Sequence, residues 1–170
     1  MMISLHEAAT MPPDLSDALW DLLGNTYSFG DGWARPQWHA VAWDAAGTST
    51  AGPSTPAALA HVGIILRRGE CDGCPVVIGG LCGGYTRSDV RQRGLYRQAM
   101  RSALDWLRTQ NVAFTLFVTA NPHVEAHMGK LGFTKFGGVV TASRAFGETV
   151  FVCPGSVMPR ERIELRGLPW

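Results

Sequence analysis

The run Val90–Met100, VRQRGLYRQAM, reads as a tight basic turn that opens into a helix. Behind it lies a glycine-rich strand, Pro75–Tyr85, PVVIGGLCGGY. Ahead of it Leu95, Ala99, Ala103, Trp106 and Leu107 recur at helical spacing, while Arg97, Arg101, Asp105 and Arg108 face elsewhere, so a helix is expected over Gly94–Arg108. The first amides of a helix have no partner inside it and point outward. Together with the helix dipole they make a ready anion site. Gly94 keeps side-chain bulk away, so a pyrophosphate can approach the backbone, and Arg91, Arg93 and Arg97 add positive charge. The same residues also fit an ordinary loop with solvated arginines. Glycines inside the preceding strand weaken it, which points to a bulge or to a ligand lying close to the backbone.

Working outward, Asp14–Leu23 reads as a helix stopped by Gly24. Tyr27–Pro36 reads as a loop rich in glycine and aromatics, and Trp38–Trp43 as a strand. Ala45–Pro56 is a small, polar, low-complexity connection. Leu59–Arg67 is a strand, joined to the glycine-rich one by a turn over Gly69–Pro75. Ala113–Val118 is a buried strand. A second helix starts at Asn121-Pro122 and stops at Gly132. Phe133–Phe136 and Thr149–Val152 read as closing strands, and Pro154–Trp170 as an irregular tail. This order of elements predicts an α/β fold with a mixed sheet, as a single domain over 1–170.

The bulk numbers agree with one globular core: 46% hydrophobic and 17% charged residues in 170. A formal charge of +1 and the lack of any basic run with interleaved aromatics argue against nucleic acid. No apolar run nears the ~20 residues of a membrane span. The first twenty residues lack a basic and an apolar secretory region, so a cytoplasmic location is expected. Cys71-Asp72-Gly73-Cys74 has the spacing of half a zinc site, but no second such pair exists, so it reads as a hairpin turn and no metal is expected.

Arg91-x-x-Gly94-x-Tyr96, after a strand and opening a long helix, resembles the acetyl-CoA motif of the GCN5-related N-acetyltransferases (GNAT). Tyr96 stands where that motif has a small residue. The family's later landmark appears as Lys130-Leu131-Gly132-Phe133. Within the superfamily the chain is most similar to the aminoglycoside 2'-N-acetyltransferases, including the branch that acetylates kasugamycin. That likeness rests on Ala60-His61-Val62 through Arg67-Arg68, on Arg87-x-Asp89 through Arg91 and Leu95, and on Thr149–Val152 followed by a tail ending in Trp170.

The resemblance implies a GNAT fold and acetyl-CoA held by Gly84, Tyr85, Thr86, Arg91, Gln92, Arg93, Gly94, Leu95, Tyr96 and Arg97. It implies direct attack of an amine on the thioester, antibiotic resistance as the outcome, and a homodimer. Asp31, Trp33, Trp38, Asp44, His123, Glu148 and Trp170 become the candidates for a cationic sugar. Two departures stand out. The family's proton-donating Tyr is replaced by Met128, and its acidic residue on the glycine-rich strand by Cys82. Catalytic candidates are therefore Cys82, His127 and the terminal carboxylate of Trp170, each with a plain structural alternative. His61, in mid-strand, faces either the site or the core. The alternatives to an aminoglycoside acceptor are a peptide or small metabolite amine, or a non-catalytic acyl-CoA-binding regulator.

Overall fold

The computed structural model describes residues 1–24, 33–44, 56–145 and 147–170. Its elements run β1 (Met2–Glu7), α1 (Pro13–Leu23), β2 (Trp38–Asp44), β3 (Ala57–Cys71), β4 (Cys74–Thr86), α2 (Leu95–Thr109), β5 (Phe114–Thr119), α3 (Pro122–Met128), β6 (Thr134–Lys135), β7 (Val139–Thr141), β8 (Thr149–Pro154) and β9 (Arg162–Leu165). These nine strands form a mixed sheet flanked by the three helices. Pairing is parallel for β4 with β5 and for β7 with β9, and antiparallel in the other ladders described below. Among the described residues no helix is long and apolar enough to cross a membrane.

The described residues divide into two compact units, each holding part of β3, β4 and α2. The first comprises the described residues of Met1–Ser28, Pro36–Ile64 and Gly83–Ala103. Here β1, β2 and β3 form an antiparallel ladder, with Leu5 opposite Ala40 and Val41 opposite His61. Ala42, Leu59, Ala60, Val90 and Leu95 make its buried cluster, packed by Ile3. Proline in its first turn starts α1, which buries Leu19, Leu22 and Leu23 at i, i+3 and i+4 and stops at Gly24, whose φ is +46°. The strand β1 falls in a stretch read without structure, and it buries little: its pattern is half-buried throughout its middle, so it carried no apolar signal.

The second unit comprises the described residues of Phe29–Arg35, Ile65–Cys82 and Leu104–Trp170. Its ladders set Ile78 opposite Phe114, Leu116 opposite Val152 and Thr134 opposite Val152. Ile78, Phe114, Leu116, Val152, Ile163 and Trp170 sit in its core. Buried on both faces, β5 is the continuous apolar run its sequence suggested.

Three expectations are corrected. The connection over Gly69–Pro75 is not seven residues long: β3 and β4 reach to Cys71 and Cys74, leaving Asp72 and Gly73, both at positive φ, as the turn. The tail is not irregular. Its Arg162–Leu165 pairs with β3 and with β7, burying Ile163 and Leu165. The second predicted helix ends early, at Met128; Gly129–Leu131 form one 3-10 turn before Gly132 at φ +86°. Most of the loop over Tyr27–Pro36 and of the connection over Ala45–Pro56 lies outside the described residues.

Candidate functional site

In the first unit the end of β4, the basic turn and the start of α2 lie in one compact stretch. A single 3-10 turn, Ser88–Val90, follows β4 and tucks Val90 into the core. Arg87 pairs with its neighbour Asp89 at 2.6 Å, which holds the Asp89 carboxyl below its usual range. Then the backbone reverses hand twice. Gln92 adopts φ +65° and Gly94 φ +75°. Positive φ is unfavourable for residues other than glycine, so Gln92 marks a stretch held by its surroundings.

The helix ladder begins with the Gln98 amide donating to the Gly94 carbonyl at 3.1 Å. By helix geometry the amides of Leu95, Tyr96 and Arg97 precede that first bond and point out of the helix end. Arg91, Arg93 and Arg97 are exposed around them. The Arg91 Nε donates to the Thr86 carbonyl at 3.4 Å, linking turn and strand. A side chain at Gly94 would place its Cβ 3.6 Å from the Arg97 guanidinium, so the glycine leaves room for an anion beneath that cation. This donor set, amides plus guanidinium groups, suits a pyrophosphate.

Strand β4 has its own irregularity. Gly83 sits at φ +57° inside the strand. The parallel ladder with β5 ends at Leu81 opposite Phe117, while β4 continues to Thr86. The carbonyl of Gly83 accepts a 2.7 Å hydrogen bond from the buried His61, and His61 in turn contacts His39 at 2.9 Å. Burial pushes His61 down to about 3 and His39 to about 4. The available signal was two imidazoles at inward positions of otherwise apolar strands; the cross-strand register that joins them was not legible.

The remaining candidates fall as follows. Trp38 and Asp44, both half-buried, end β2 in the first unit. The second unit holds Cys82, Trp33, His123, His127, Glu148 and Trp170. Cys82 is buried and its thiol is pushed up to about 12 by desolvation, so it is neutral near pH 7 and has no capacity as a base there. His123 and His127 are exposed on α3, and the His123 amide is capped by the Asn121 side chain at 3.0 Å, a helix-start role. Met128, at the family's Tyr position, is fully buried. Trp33 is half-buried with the Arg144 guanidinium 5.6 Å from its ring centre. Trp170 is buried against Gly80, and Arg67 lies 5.0 Å over its ring. One carboxylate oxygen of Glu148 is buried without a hydrogen-bond partner. Asp31 lies outside the described residues.

The turn at Cys71–Cys74 serves structure. The Asp72 carboxylate accepts from the amides of Arg160, Glu161 and Arg162 at 2.8–3.0 Å, and these bonds hold its pKa down at about 2.

No protein-family model and no curated protein matches the chain. Solved structures do match. The GNAT family N-acetyltransferase YhbS from Escherichia coli, determined with CoA, superposes with a TM-score of 0.66 at 16% identity, over 99% of this chain and 94% of that one. An acyl-CoA N-acyltransferase from Pseudomonas aeruginosa gives 0.60 at 17% identity, over 89% and 97%. A GNAT family acetyltransferase from Brucella melitensis, determined with acetyl-CoA, gives 0.56 at 11% identity, over 95% and 94%. The fold is therefore that of the GNAT enzymes, as the turn over Val90–Met100 had implied.

Proposed function

We propose that this GNAT-fold chain is an acetyl-CoA-dependent N-acetyltransferase. The observation that carries the reading is the turn in which Gln92 and Gly94 both take positive φ at the mouth of α2, ringed by Arg91, Arg93 and Arg97. Those residues, with Leu95 and Tyr96, hold the cofactor's pyrophosphate. Bound there, acetyl-CoA supplies an acetyl group activated as a thioester and open to direct attack by a neutral amine. The amides of Gly84, Tyr85 and Thr86 are the donors that meet the negative charge growing on the carbonyl oxygen. No side chain need carry the acetyl group. With Met128 buried at the family's acid position, the thiolate leaves without a proton from that residue. His127 and the Trp170 carboxylate remain the candidates to take the amine's proton.

For the acceptor, we infer the 2'-amino group of an aminoglycoside such as kasugamycin, with Asp31, Asp44, Glu148 and the terminal carboxylate as partners for its cationic groups and Trp33, Trp38 and His123 around the sugar. The buried, unpartnered oxygen of Glu148 supports a cationic acceptor, because such an atom is costly until a donor reaches it. On this reading the chain acts in the cytoplasm, as a homodimer. Thiol release from acetyl-CoA with a panel of aminoglycosides that includes kasugamycin tests it. Turnover on one of them is expected. CoA binding without turnover on any would move the acceptor to a peptide or small metabolite amine.

A second reading is favoured by the neutral thiol of Cys82 and the buried thioether of Met128, which occupy the positions of the family's base and acid. It makes the chain a non-catalytic acyl-CoA-binding regulator. Saturable CoA binding with no transfer to any amine would select it.

A further inference from the structure

His61 lies wholly within the first unit's core, a costly place for a polar ring unless its nitrogens are satisfied. Both are. Nδ1 is 2.7 Å from the Gly83 carbonyl and Nε2 is 2.9 Å from His39 Nδ1. A carbonyl only accepts, so His61 Nδ1 carries the hydrogen. A neutral imidazole has one hydrogen, so His61 Nε2 is bare and accepts from His39 Nδ1–H. The two bonds therefore run in one direction, from His39 through His61 to the Gly83 carbonyl. They fix both tautomers. His39 itself is backed across the β1–β2 ladder by His6, which bonds the Ser4 hydroxyl at 2.7 Å.

The acceptor at the end of this chain is the unusual point of β4. Gly83 is the strand residue at φ +57°. Its peptide bond to Gly84 is trans and planar, so holding the carbonyl on one side sets the plane of the whole unit and the course of the backbone that follows. That backbone is Gly84–Thr86. A buried imidazole with a second imidazole locking its tautomer is a far stiffer restraint than a solvated contact, because both rings lose rotation on burial.

We propose that His61, locked by His39, is a positioning residue: it holds the Gly83–Gly84 peptide in the orientation that presents the amides of Gly84–Thr86 to the acyl carbonyl. This inference rests on the proposed acetyl-CoA reading. It adds to that reading the pair of residues through which β4 keeps its donors aimed.

Two measurements test it. Nitrogen-detected NMR of histidine-labelled wild-type protein should show His61 and His39 as the Nδ1–H tautomers; an Nε2–H tautomer at His61 overturns the inference without any variant. Isotope-edited infrared spectra of acetyl-CoA labelled with carbon-13 at the carbonyl report the donors directly. A narrow, displaced carbonyl band is expected on wild-type protein and on His61→Asn, whose amide NH2 stands near the Nδ1 position. On His61→Leu the band should return to its position in free acetyl-CoA, and the preference for acetyl-CoA over CoA should fall about fivefold. CoA affinity by calorimetry controls for folding, and His39→Leu serves should His61→Leu not fold. An unchanged band and preference in a folded variant that binds CoA overturn the inference alone. Failure of wild-type protein to bind CoA or acetyl-CoA overturns the proposed function, and this inference with it.

Discussion

The ring of Tyr96, in the first turn of α2, fills the space beside Gly84 on β4: a methyl group at Gly84 would stand 2.6 Å from Cε2 and 2.7 Å from the hydroxyl oxygen. This relation explains why a large residue is tolerated where the family motif has a small one. The bulk is absorbed by a glycine on the neighbouring strand. Gly84→Ala should therefore lower stability by about 1–3 kcal/mol through overpacking. The same change in a Tyr96→Ala background should cost much less. A double-mutant cycle from urea unfolding measures the difference, and additive losses would show that the two residues do not share the space.

Acid should unfold the protein in two windows with different owners. Burial first, then the charge of a neighbouring imidazole (His6 for His39, His39 for His61), holds His39 at about 4 and His61 at about 3, against an ordinary 6.5. Below 6.5 the unfolded chain takes up protons that the folded chain refuses. Stability is thus complete above pH 6.5 and declines as pH falls through 4 and 3, at up to about 1.4 kcal/mol per pH unit for each imidazole. Unfolding curves between pH 7.5 and 4.5 should show this slope, and His39→Asn/His61→Asn should flatten it. Asp72 enters later, because its depressed pKa near 2 leaves its contribution intact until pH falls below 3.8.

What the sequence disclosed follows from which signals are local. The helix over Leu95–Thr109, the glycine stop at Gly132 and the buried strand at Phe114–Thr119 are written in residues a few positions apart, and all three were legible. The turn at Asp72-Gly73 was placed correctly, but its length was not, because Gly69 and Pro75 look like breakers and yet lie within or beside ladders that only strand partners sustain. Strand β9 stayed hidden for the same reason: Arg162–Leu165 is short and half polar, and it is ordered by β3 and β7, far away in sequence. The turn that opens α2 could be read from the residues around Gly94, which takes positive φ there. The His39–His61 chain could not, since it exists only once β2 and β3 are in register.

Cofactor affinity should depend on the arginines singly and on salt collectively. Arg91→Gln, Arg93→Gln and Arg97→Gln are each expected to weaken CoA binding by about three- to tenfold, the range of one charge-assisted hydrogen bond at an exposed site. Their loss should reduce the salt dependence of the Kd step by step. Calorimetric titration with CoA at two ionic strengths checks both points. Unchanged affinity in all three variants would remove the turn as the pyrophosphate site.

Asp72 joins the β3–β4 turn to the tail by three amide bonds from Arg160, Glu161 and Arg162, and its own amide donates to the Arg162 carbonyl at 2.9 Å. Its φ of +49° suits Asn nearly as well as Asp but penalises Ala. Asp72→Asn should therefore lower Tm slightly, through the weaker acceptor, and Asp72→Ala clearly more. Hydrogen exchange at residues 160–162 should quicken in the order wild type, Asn, Ala. Equal protection in all three would mean that the carboxylate is not what orders this part of the tail.

At the end of the chain, Trp170 is nearly solvent-free although only Pro169 and Leu168 lead into it. Its indole meets the backbone of Gly80 directly, and Arg67 lies over its ring and is bonded to the Leu168 carbonyl. Its Nε1 is buried without a partner, so the residue is held by packing rather than by its polar edge. Trp170→Ala should cost about 3–5 kcal/mol, the cost of emptying a core aromatic. Trp170→Phe should cost less, because it keeps an aromatic ring and removes the unsatisfied N–H. Gly80→Ala should resemble Trp170→Ala, since its methyl group must displace the indole from the same seat. Should Trp170→Ala instead keep the wild-type unfolding midpoint, the indole is a passive cover over β4 and not part of what holds the core together.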